Sequence, residues 1–427
     1  MEPIYKFLLF YIFAFIAFIS PVVAQDCSIK VGILHSLSGT MAISETTLKD
    51  TVEMLVEHRN GLGGVLGCQL EAVIVDPASD WPLFAEKARE LLTVHEVDVI
   101  FGAWTSASRK SVLPVIEELN GLLFYPVQYE GEESSKNVFY TGAAPNQQAI
   151  PATDYLIDER GVERFVLLGT DYIYPRTTNQ ILENYLQQRG VSADDIFVSY
   201  TPFGHAEWSK IVADVVALSA DGKTVGVVST INGDANIGFY KELAATSISA
   251  EDIPVVAFSV GEEELSGLDT TDLIGHLAAW NYFQSADTAA NKAWVAAWKA
   301  RMGEDRVTND PMEAHYIGFN MWVNAVIEAG TTDVEAVRDA MYGQEVPNLT
   351  GGTAMMLRNH HLTKPVLIGE IQEDGQFDII SQTAEVPGDA WTDFLPESAV
   401  LVSNWPELGC GMYNIKTNSC VQLNSNY

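Results

Sequence analysis

Short apolar runs alternate with longer amphipathic segments along the first part of this chain. The predicted strands are IKVGILHS, LEAVIVD and DVIFGAW, and the predicted helices that follow them cover 44–60, 82–95 and 108–119. Alternation of this kind is typical of parallel strands joined by right-handed helical crossovers. The first part of the chain is therefore predicted to be an α/β unit built on a parallel sheet.

The same alternation starts again near Ala149. The second set of predicted strands is ERFVLLGT, IFVSYTPF, TVGVVSTI and IPVVAFSV, and its predicted helices cover 149–160, 177–189, 207–218 and 235–246. Two more helical patterns at 288–302 and 312–329 precede a β-rich tail that begins near Gly351. Two consecutive doubly wound modules predict a bilobed α/β protein.

Length and charge narrow the classes of partner. The chain has 427 residues, 47% of them hydrophobic, and a formal net charge of −33, so it is long enough to form two packed cores. Nucleic acid is not an expected partner, because binding to phosphates needs Lys and Arg to displace their counterions. The charge carries little information about a small ligand.

The amino terminus has the layout of a secretory signal peptide. Lys6 precedes an apolar run at 7–19, which is followed by Pro21 and by a small residue, Ala24. We expect residues 1–24 to be removed on export. The run is shorter than the ~20 residues that span a bilayer, which disfavours an uncleaved anchor.

The four cysteines all follow the predicted cleavage site. An even number of cysteines in an exported chain favours disulfides over thiol chemistry. Cys27 and Cys68 each precede an apolar strand, so they lie at the same sheet edge if those strands are parallel neighbours. We predict the pairs Cys27–Cys68 and Cys410–Cys420.

The stretch 101–147 predicts a small-molecule site. Two of its strands end in neutral hydrogen-bonding groups beside flat rings, and no nucleophile with an adjacent base is present. The candidate ligand-binding residues at these strand ends are Trp104, Thr105, Ser106, Tyr125 and Gln128. An indole face stacks on a planar amide, while hydroxyl and amide groups donate and accept hydrogen bonds. A small, planar, uncharged polar molecule is the expected ligand.

These residues also have purely structural alternatives. Trp104 could shield the rim of a cleft, and the hydroxyls of Thr105 and Ser106 are common in loops. The Gln128 side chain could bond to the backbone of the crossover that follows it. Asp234 follows the strand TVGVVST, where its carboxylate could accept from an N–H pair of a ligand or cap the helix that begins near Ala235.

Six segments of the chain resemble the type I periplasmic solute-binding proteins of ABC transporters, and in particular their urea and short-chain amide receptors. The segments are GILHSLSGT at 32–40, DPASD at 76–80, RKSVLP at 109–114, YPVQYEG at 125–131, APNQQ at 144–148 and GTDYIYPR at 169–176. Nearly the whole chain after the signal peptide takes part in the resemblance.

The resemblance implies two doubly wound parallel-sheet lobes joined by a three-segment hinge, which close over a ligand at the carboxyl ends of their strands. The expected amino-terminal lobe covers 25–143 and 282–350. The expected carboxy-terminal lobe covers 144–281 and 351–427. Within the motif at 169–176, the resemblance places Tyr172 over the ligand.

The expected function is to capture urea in the periplasm and to deliver it to ABC-type permease subunits in the inner membrane. Urea has one carbonyl acceptor and two amino groups, so its site needs more acceptors than donors. The alternatives are a receptor for short-chain aliphatic amides or amino acids, and an exported amide sensor that feeds a membrane signalling partner. The oligomeric state stays open.

Neither enzymatic activity nor a cofactor is expected. The chain has no GxSxG elbow, and His35 is the one histidine expected near the cleft. The acidic stretches 370–378 and 130–133 offer oxygen ligands of the kind that calcium binds, but such clusters arise readily in so acidic a chain. The loop at 261–264 could bring one of its glutamate carboxylates to the cleft, but the charge run is interpreted as a solvated face.

Overall fold

The computed structural model describes residues 27–246, 248–266, 268–395, 412–414 and 419–421. Its first sheet has five parallel strands in the order β2-β1-β3-β4-β5. The strands are β1 Ser28–Leu34, β2 Gln69–Val75, β3 Val99–Gly102, β4 Leu123–Tyr125 and β5 Val138–Tyr140, and the helices between them are α1 Ala42–Gly61, α2 Trp81–Thr93 and α3 Ser106–Glu118. The predicted parallel α/β unit is confirmed.

The second sheet has seven strands and repeats the same winding. Its strands are β6 Arg164–Thr170, β7 Ile196–Thr201, β8 Val225–Thr230, β9 Val255–Ala257, β10 Leu277–Trp280, β14 Leu367–Ile371 and β15 Phe377–Gln382, and the associated helices are α4 Ala149–Asp158, α5 Ile173–Gln188, α6 Ser209–Ala217, α7 Ala235–Ala245 and α8 Glu262–Leu265. The sheet order is β15-β14-β10-β9-β8-β6-β7. β14 and β15 are antiparallel to their neighbours, and the other strands are parallel.

Three further helices return to the first sheet. They are α9 Ala289–Met302, α10 Asp310–Ala329 and α11 Val334–Met341. Three small antiparallel pairs follow, namely β11 Glu345–Pro347 with β12 Thr353–Met355, β13 Thr363–Lys364 with β16 Val386–Pro387, and β17 Met412–Asn414 with β18 Ser419–Val421. Among the described residues, none of the helices has the length and apolar character needed to cross a bilayer.

The hydrophobic core divides along the two sheets. One cluster joins the first sheet to α1–α3 and α9–α11, and we call this body the first lobe. Two clusters cover opposite faces of the second sheet, which with α4–α8 forms the second lobe. Ala354, Met356 and Leu362 lie beyond the predicted lobe boundary at 350/351, yet they pack in the core of the first lobe.

Three chain segments cross between the lobes, and Asn281 ties them together. Its Nδ2 donates to the carbonyl oxygens of Gln147 at 3.0 Å and Pro365 at 2.7 Å. The side chain of Gln147 donates in turn to the carbonyl oxygen of Leu362 at 2.8 Å. The predicted three-segment hinge is therefore present, and buried amide side chains link its three crossing segments.

The disulfide Cys27–Cys68 is formed as predicted. It joins the amino ends of β1 and β2, which pair in parallel from Ser28 opposite Gln69 onward. The predicted signal peptide at 1–24 lies outside the described residues. So does Cys410, and therefore the predicted pair Cys410–Cys420 lies outside them as well.

Candidate functional site: the cleft between the lobes

Each sheet has one switch point, where the connections of two adjacent strands run to opposite faces of the sheet. The switch point lies between β1 and β3 in the first sheet and between β6 and β8 in the second sheet. Ligands of open α/β sheets bind outside the carboxyl ends of the strands at such switch points. The segments that follow these four strands, together with those that follow the adjoining strands β4 and β9, therefore form the candidate site.

Side chains from the two lobes meet across this cleft. The indole N–H of Trp104 donates to Oδ1 of Asn232 at 3.4 Å. Nε2 of Gln128 donates to Oγ of Ser259 at 2.7 Å. Because each bond joins groups more than a hundred residues apart in different lobes, the structure is a closed form in which the lobes touch.

Six of the seven predicted ligand-binding residues are buried at this meeting of the lobes. They are Trp104, Thr105, Ser106, Tyr125, Gln128 and Tyr172. Asp234, the seventh, is exposed at the start of α7, and its side chain forms no capping hydrogen bond. The binding role of all seven stays a prediction, but the buried six are brought together and Asp234 is not enclosed with them.

The hydroxyls of Thr105 and Ser106 have partners within the first lobe. Oγ1 of Thr105 accepts from the backbone N–H of Ser108 at 3.0 Å and so caps α3. The Ser106 hydroxyl donates to Glu130 and accepts from Arg109 at 3.1 Å. Helix capping explains the hydroxyl residue at position 105, since an uncapped helix leaves backbone N–H donors unsatisfied. The bonds to Glu130 and Arg109 explain the hydroxyl residue at position 106.

Tyr125 links two strand ends. Its hydroxyl donates to the carbonyl oxygen of Trp104, so the end of β4 is bonded to the loop after β3. Burial raises the pKa of Tyr125 above its ordinary value, and the positive charge of Arg109 opposes only part of this rise. Tyr125 is therefore a neutral hydrogen-bonding group at any physiological pH.

Gln128 and Tyr174 present polar atoms to the cleft. Oε1 of Gln128 is buried and has no hydrogen-bond partner among the described residues. The Tyr174 hydroxyl is buried as well, and Gln128 and Ser259 lie within its reach and oppose part of the rise that burial causes in the pKa of Tyr174. A buried polar group without a partner costs about 1–3 kcal/mol, so the Gln128 oxygen points to a polar ligand. Sequence reasoning missed Tyr174, although it stands in the motif GTDYIYPR.

Four aromatic rings cover the mouth of the cleft. Trp81 of the first lobe lies 6.3 Å from the ring of Tyr172 and 6.0 Å from the ring of Phe203, both of the second lobe. Tyr172 also packs against Phe203 at 5.0 Å and Tyr174 at 6.1 Å. Phe203 reaches the core of the first lobe. No local pattern predicts the contact between Trp81 and Phe203, because it forms only where the two lobes meet.

Interpreting Glu262–Glu264 as a solvated face is wrong for two of its members. Glu262 and Glu264 are buried on α8. Oε1 of Glu264 accepts from the Ser44 hydroxyl of the first lobe at 2.7 Å. Burial raises the pKa of Glu262 to about 8. The charge run is buried because α8 packs against α1 across the cleft, a contact with no local signature.

The acidic stretches that could have offered calcium ligands have other partners. Glu130 and Glu133 pair with Arg109 at 3.2 Å and 2.8 Å, and Glu370 pairs with Arg160 at 3.0 Å. Within the described part of the chain, no three acidic, His or Cys side chains converge in a way that would hold a metal ion.

Comparison with known proteins identifies the class of this fold. The model of the periplasmic binding protein domain matches residues 29–397. Leu/Ile/Val-binding protein homolog 3 of Brucella melitensis is 24% identical over 366 residues, which are 82% of this chain and 93% of that protein. A solute-binding protein of an ABC transporter from Rhodopseudomonas palustris HaA2, solved with p-hydroxybenzoic acid, has a TM-score of 0.73 at 19% identity over 86% of this chain and 99% of that one.

One similarity is confined to a short segment. Over 106 residues the chain is 35% identical to limonene hydroxylase of Geobacillus stearothermophilus, and the match covers 25% of this chain and 19% of that protein. The chain thus spans about a fifth of that relative's length, and the relative's name says nothing about activity here. The family match covers most of the chain: the protein belongs to the periplasmic binding protein family, whose members are exported solute-binding receptors of ABC transporters and not enzymes.

Proposed function

We propose that this protein is a periplasmic receptor that captures urea between its lobes and delivers it to an ABC-type permease. The observation that carries the proposal is the buried Oε1 of Gln128, which has no hydrogen-bond partner among the described residues and belongs to a side chain next to the Tyr174 hydroxyl. A carbonyl acceptor and a hydroxyl donor complement the amino groups and the carbonyl oxygen of urea. The aromatic rings beside them suit a flat ligand.

The charges around the cleft favour a neutral ligand over an amino acid. An α-amino acid needs a cation for its carboxylate and an anion for its ammonium group, because an unpaired buried charge is costly. The guanidinium of Arg109 is occupied by Glu130 and Glu133. Glu264 is occupied by Ser44 and by the backbone N–H of Gly261 at 3.0 Å. Short-chain amides share the chemistry of urea and are its nearest competitors.

Titration calorimetry of the purified protein tests the ligand. We expect binding of urea with a dissociation constant in the micromolar range or below, weaker binding of acetamide and formamide, and no heat with leucine or p-hydroxybenzoate. The relatives named for branched-chain amino acids and p-hydroxybenzoic acid make the last two the necessary competitors. No heat with urea, together with heat from any other member of the panel, would overturn the urea assignment.

Three variants test the site. Trp104→Ala and Gln128→Ala remove bonds that cross the cleft, and each is expected to weaken urea binding about tenfold, the effect of roughly one buried hydrogen bond. Asp234→Ala tests the predicted residue that is exposed. A tenfold loss there would support its predicted role, and an unchanged dissociation constant would remove it from the site.

Export belongs to the proposal as well. We expect cleavage after Ala24, which amino-terminal sequencing of the protein recovered from the periplasm would detect. A mature protein that still begins at Met1 would contradict the predicted signal peptide. Reconstitution with the permease, measured as urea uptake into vesicles, separates a transport receptor from a sensor.

A further inference from the structure

Beneath the first-lobe wall of the cleft lies a buried arginine that the binding prediction did not use. Arg109, in the first turn of α3, is fully buried. Burying a guanidinium is expensive unless its charge and all its donors are matched. Its surroundings therefore reveal what the side chain holds in place.

Two carboxylates and a second cation complete a balanced charge cluster. Nε of Arg109 donates to Oε1 of Glu133 at 2.8 Å, and its Nη2 donates to Oε1 of Glu130 at 3.2 Å. Nζ of Lys110 lies 2.7 Å from Oε2 of Glu133. Burial alone would raise the pKa of Glu133, but the charges of Arg109 and Lys110 bring it down to about 2. Glu133 is thus ionised at neutral pH and pairs with both cations.

The guanidinium also makes cation–π contacts with two tyrosine rings. Its central carbon is 4.7 Å from the centroid of Tyr125 and 4.6 Å from that of Tyr129, and the two rings stand at 78° to each other. Arginine suits this place better than lysine, because its delocalised, weakly hydrated cation contacts aromatic faces while its fork of N–H groups pairs with carboxylates. The ring of Tyr125, whose hydroxyl donates to the Trp104 carbonyl, is therefore held in place by Arg109.

The same cluster reaches two more predicted binding residues. Nη1 of Arg109 donates to the hydroxyl of Ser106 at 3.1 Å, and that hydroxyl donates to Glu130. Glu130 stands two residues after Gln128, so the ion pair fixes the loop that carries the Gln128 amide. One side chain thus contacts or anchors Ser106, Tyr125 and Gln128.

We propose that Arg109 is a positioning residue for ligand binding, which fixes the first-lobe wall of the cleft through its bonds to Ser106, Glu130 and Glu133 and its cation–π contact with Tyr125. It does not touch the ligand itself. The proposal rests on the proposed function only in that it takes the cleft as the ligand site. It holds for whichever small polar solute binds there.

Arg109→Lys is the test, because it keeps the positive charge and removes the planar fork that donates to Ser106, Glu130 and Glu133 at once. We expect a folded protein that binds urea about tenfold more weakly, the effect of one lost buried hydrogen bond. The ratio of the acetamide to the urea dissociation constants should fall toward one, since a loosened wall discriminates less. A folded Arg109→Lys protein with wild-type affinity and an unchanged ratio would overturn the proposal.

Arg164→Lys is the matched control. Arg164 binds Asp195 and Asp221, each at 2.9 Å, but it is the first residue of β6, at the strand end away from the cleft. The substitution Arg164→Lys should lower the melting temperature without changing the affinity for urea or the ratio of the acetamide to the urea dissociation constants. If Arg109→Lys does not fold, Glu130→Gln, which keeps the shape and an acceptor for Ser106, provides the same comparison.

The positioning role of Arg109 can be tested even if urea is not the ligand. Should the wild-type protein bind acetamide or leucine instead, the urea proposal fails and the same variants are compared with that ligand. Hydrogen–deuterium exchange without any ligand adds a second reading. We expect faster exchange across 126–133 in Arg109→Lys and no change there in Arg164→Lys. Unchanged exchange in this loop would refute the positioning role.

Discussion

Buried carboxylates on α8 make the second-lobe side of the cleft sensitive to pH. Burial raises the pKa of Glu262 to about 8, and the negative charges of Glu264 and Asp310 add to the rise, while the backbone N–H of Gln284 opposes it. Between its ordinary pKa and this raised value, the folded protein keeps a proton that the unfolded chain releases. Folding is therefore linked to proton uptake over that range.

This linkage predicts a direction for stability against pH. The free energy of unfolding should fall as pH rises from about 4.5 to about 8 and then level off, with a limit of about 1.4 kcal/mol per pH unit for one proton. Glu262→Gln has the same shape and cannot ionise, so its melting temperature should fall less between pH 5 and pH 8. Calorimetric melting curves at several pH values check this. Parallel curves for the two proteins would contradict the buried titration.

At the residue scale, the sequence predicted residues that lie at strand ends and missed residues that are buried by contacts with the other lobe. Trp104 and Gln128 could be found because the residues that follow a buried parallel strand lie at the sheet edge, and Tyr172 was found through the family resemblance of its motif. Tyr174 and Glu262 could not be selected, since their burial depends on contacts with distant segments. A glutamate run has the same local pattern whether a facing helix covers it or not.

At the scale of elements, the alternation of strands and helices predicts most of the helices and parallel strands of both sheets. The predicted helix at 44–60 is found as Ala42–Gly61, and the one at 288–302 as Ala289–Met302. The short elements β5 and α11 were not predicted. A three-residue strand such as β5 is too short to show a period, so only its pairing with β4 defines it.

The loop between β8 and α7 offers a selective test of closure. Gly233 has a φ of +69°, and a Cβ there would lie 2.7 Å from the carbonyl oxygen of Thr40 and 3.1 Å from Sδ of Met41 in the first lobe. Gly233→Ala should therefore disfavour the closed form and weaken ligand binding by about tenfold or more, because binding requires closure. Calorimetric titration of the variant measures the loss.

Gly222→Ala separates closure from backbone strain. Gly222 has a φ of +89°, and a Cβ there would meet nothing within 4 Å. Both substitutions impose a left-handed backbone on alanine, at a cost of about 1–2 kcal/mol. Only Gly233→Ala adds the contact between lobes. Equal affinities for the two variants would mean that the loop does not limit closure.

At the scale of the whole molecule, the disulfide and the ligand site lie at opposite ends of the first sheet. Cys27–Cys68 joins the amino ends of β1 and β2 and is separated by 41 residues in sequence. A loop of this length predicts a stabilisation of about 4 kcal/mol. The seven-residue strand β1 sets the bond about 20 Å or more from the cleft.

Replacing both cysteines should therefore separate stability from binding. We expect Cys27→Ser/Cys68→Ser to lower the free energy of unfolding by about 2–4 kcal/mol, measured by chemical denaturation. Its dissociation constant for the ligand at 25 °C should match that of the wild-type protein. A weakened affinity in the folded double variant would show that the bond shapes the cleft after all.

Closure as a whole depends on contacts that exist only when the lobes meet, and the aromatic rings at the mouth are the clearest of them. Trp81→Ala removes one lobe's share of these contacts and should weaken binding about three- to tenfold, as aromatic pairs contribute about 0.5–1.5 kcal/mol. The factor should be the same for urea and acetamide, because it reflects the closing equilibrium and not the ligand. Trp294→Ala, a buried tryptophan that packs on Tyr316 within the first lobe, should lower stability and leave both affinities unchanged. If the losses for the two ligands differ, Trp81 acts on the ligand directly and the closing equilibrium is not what it controls.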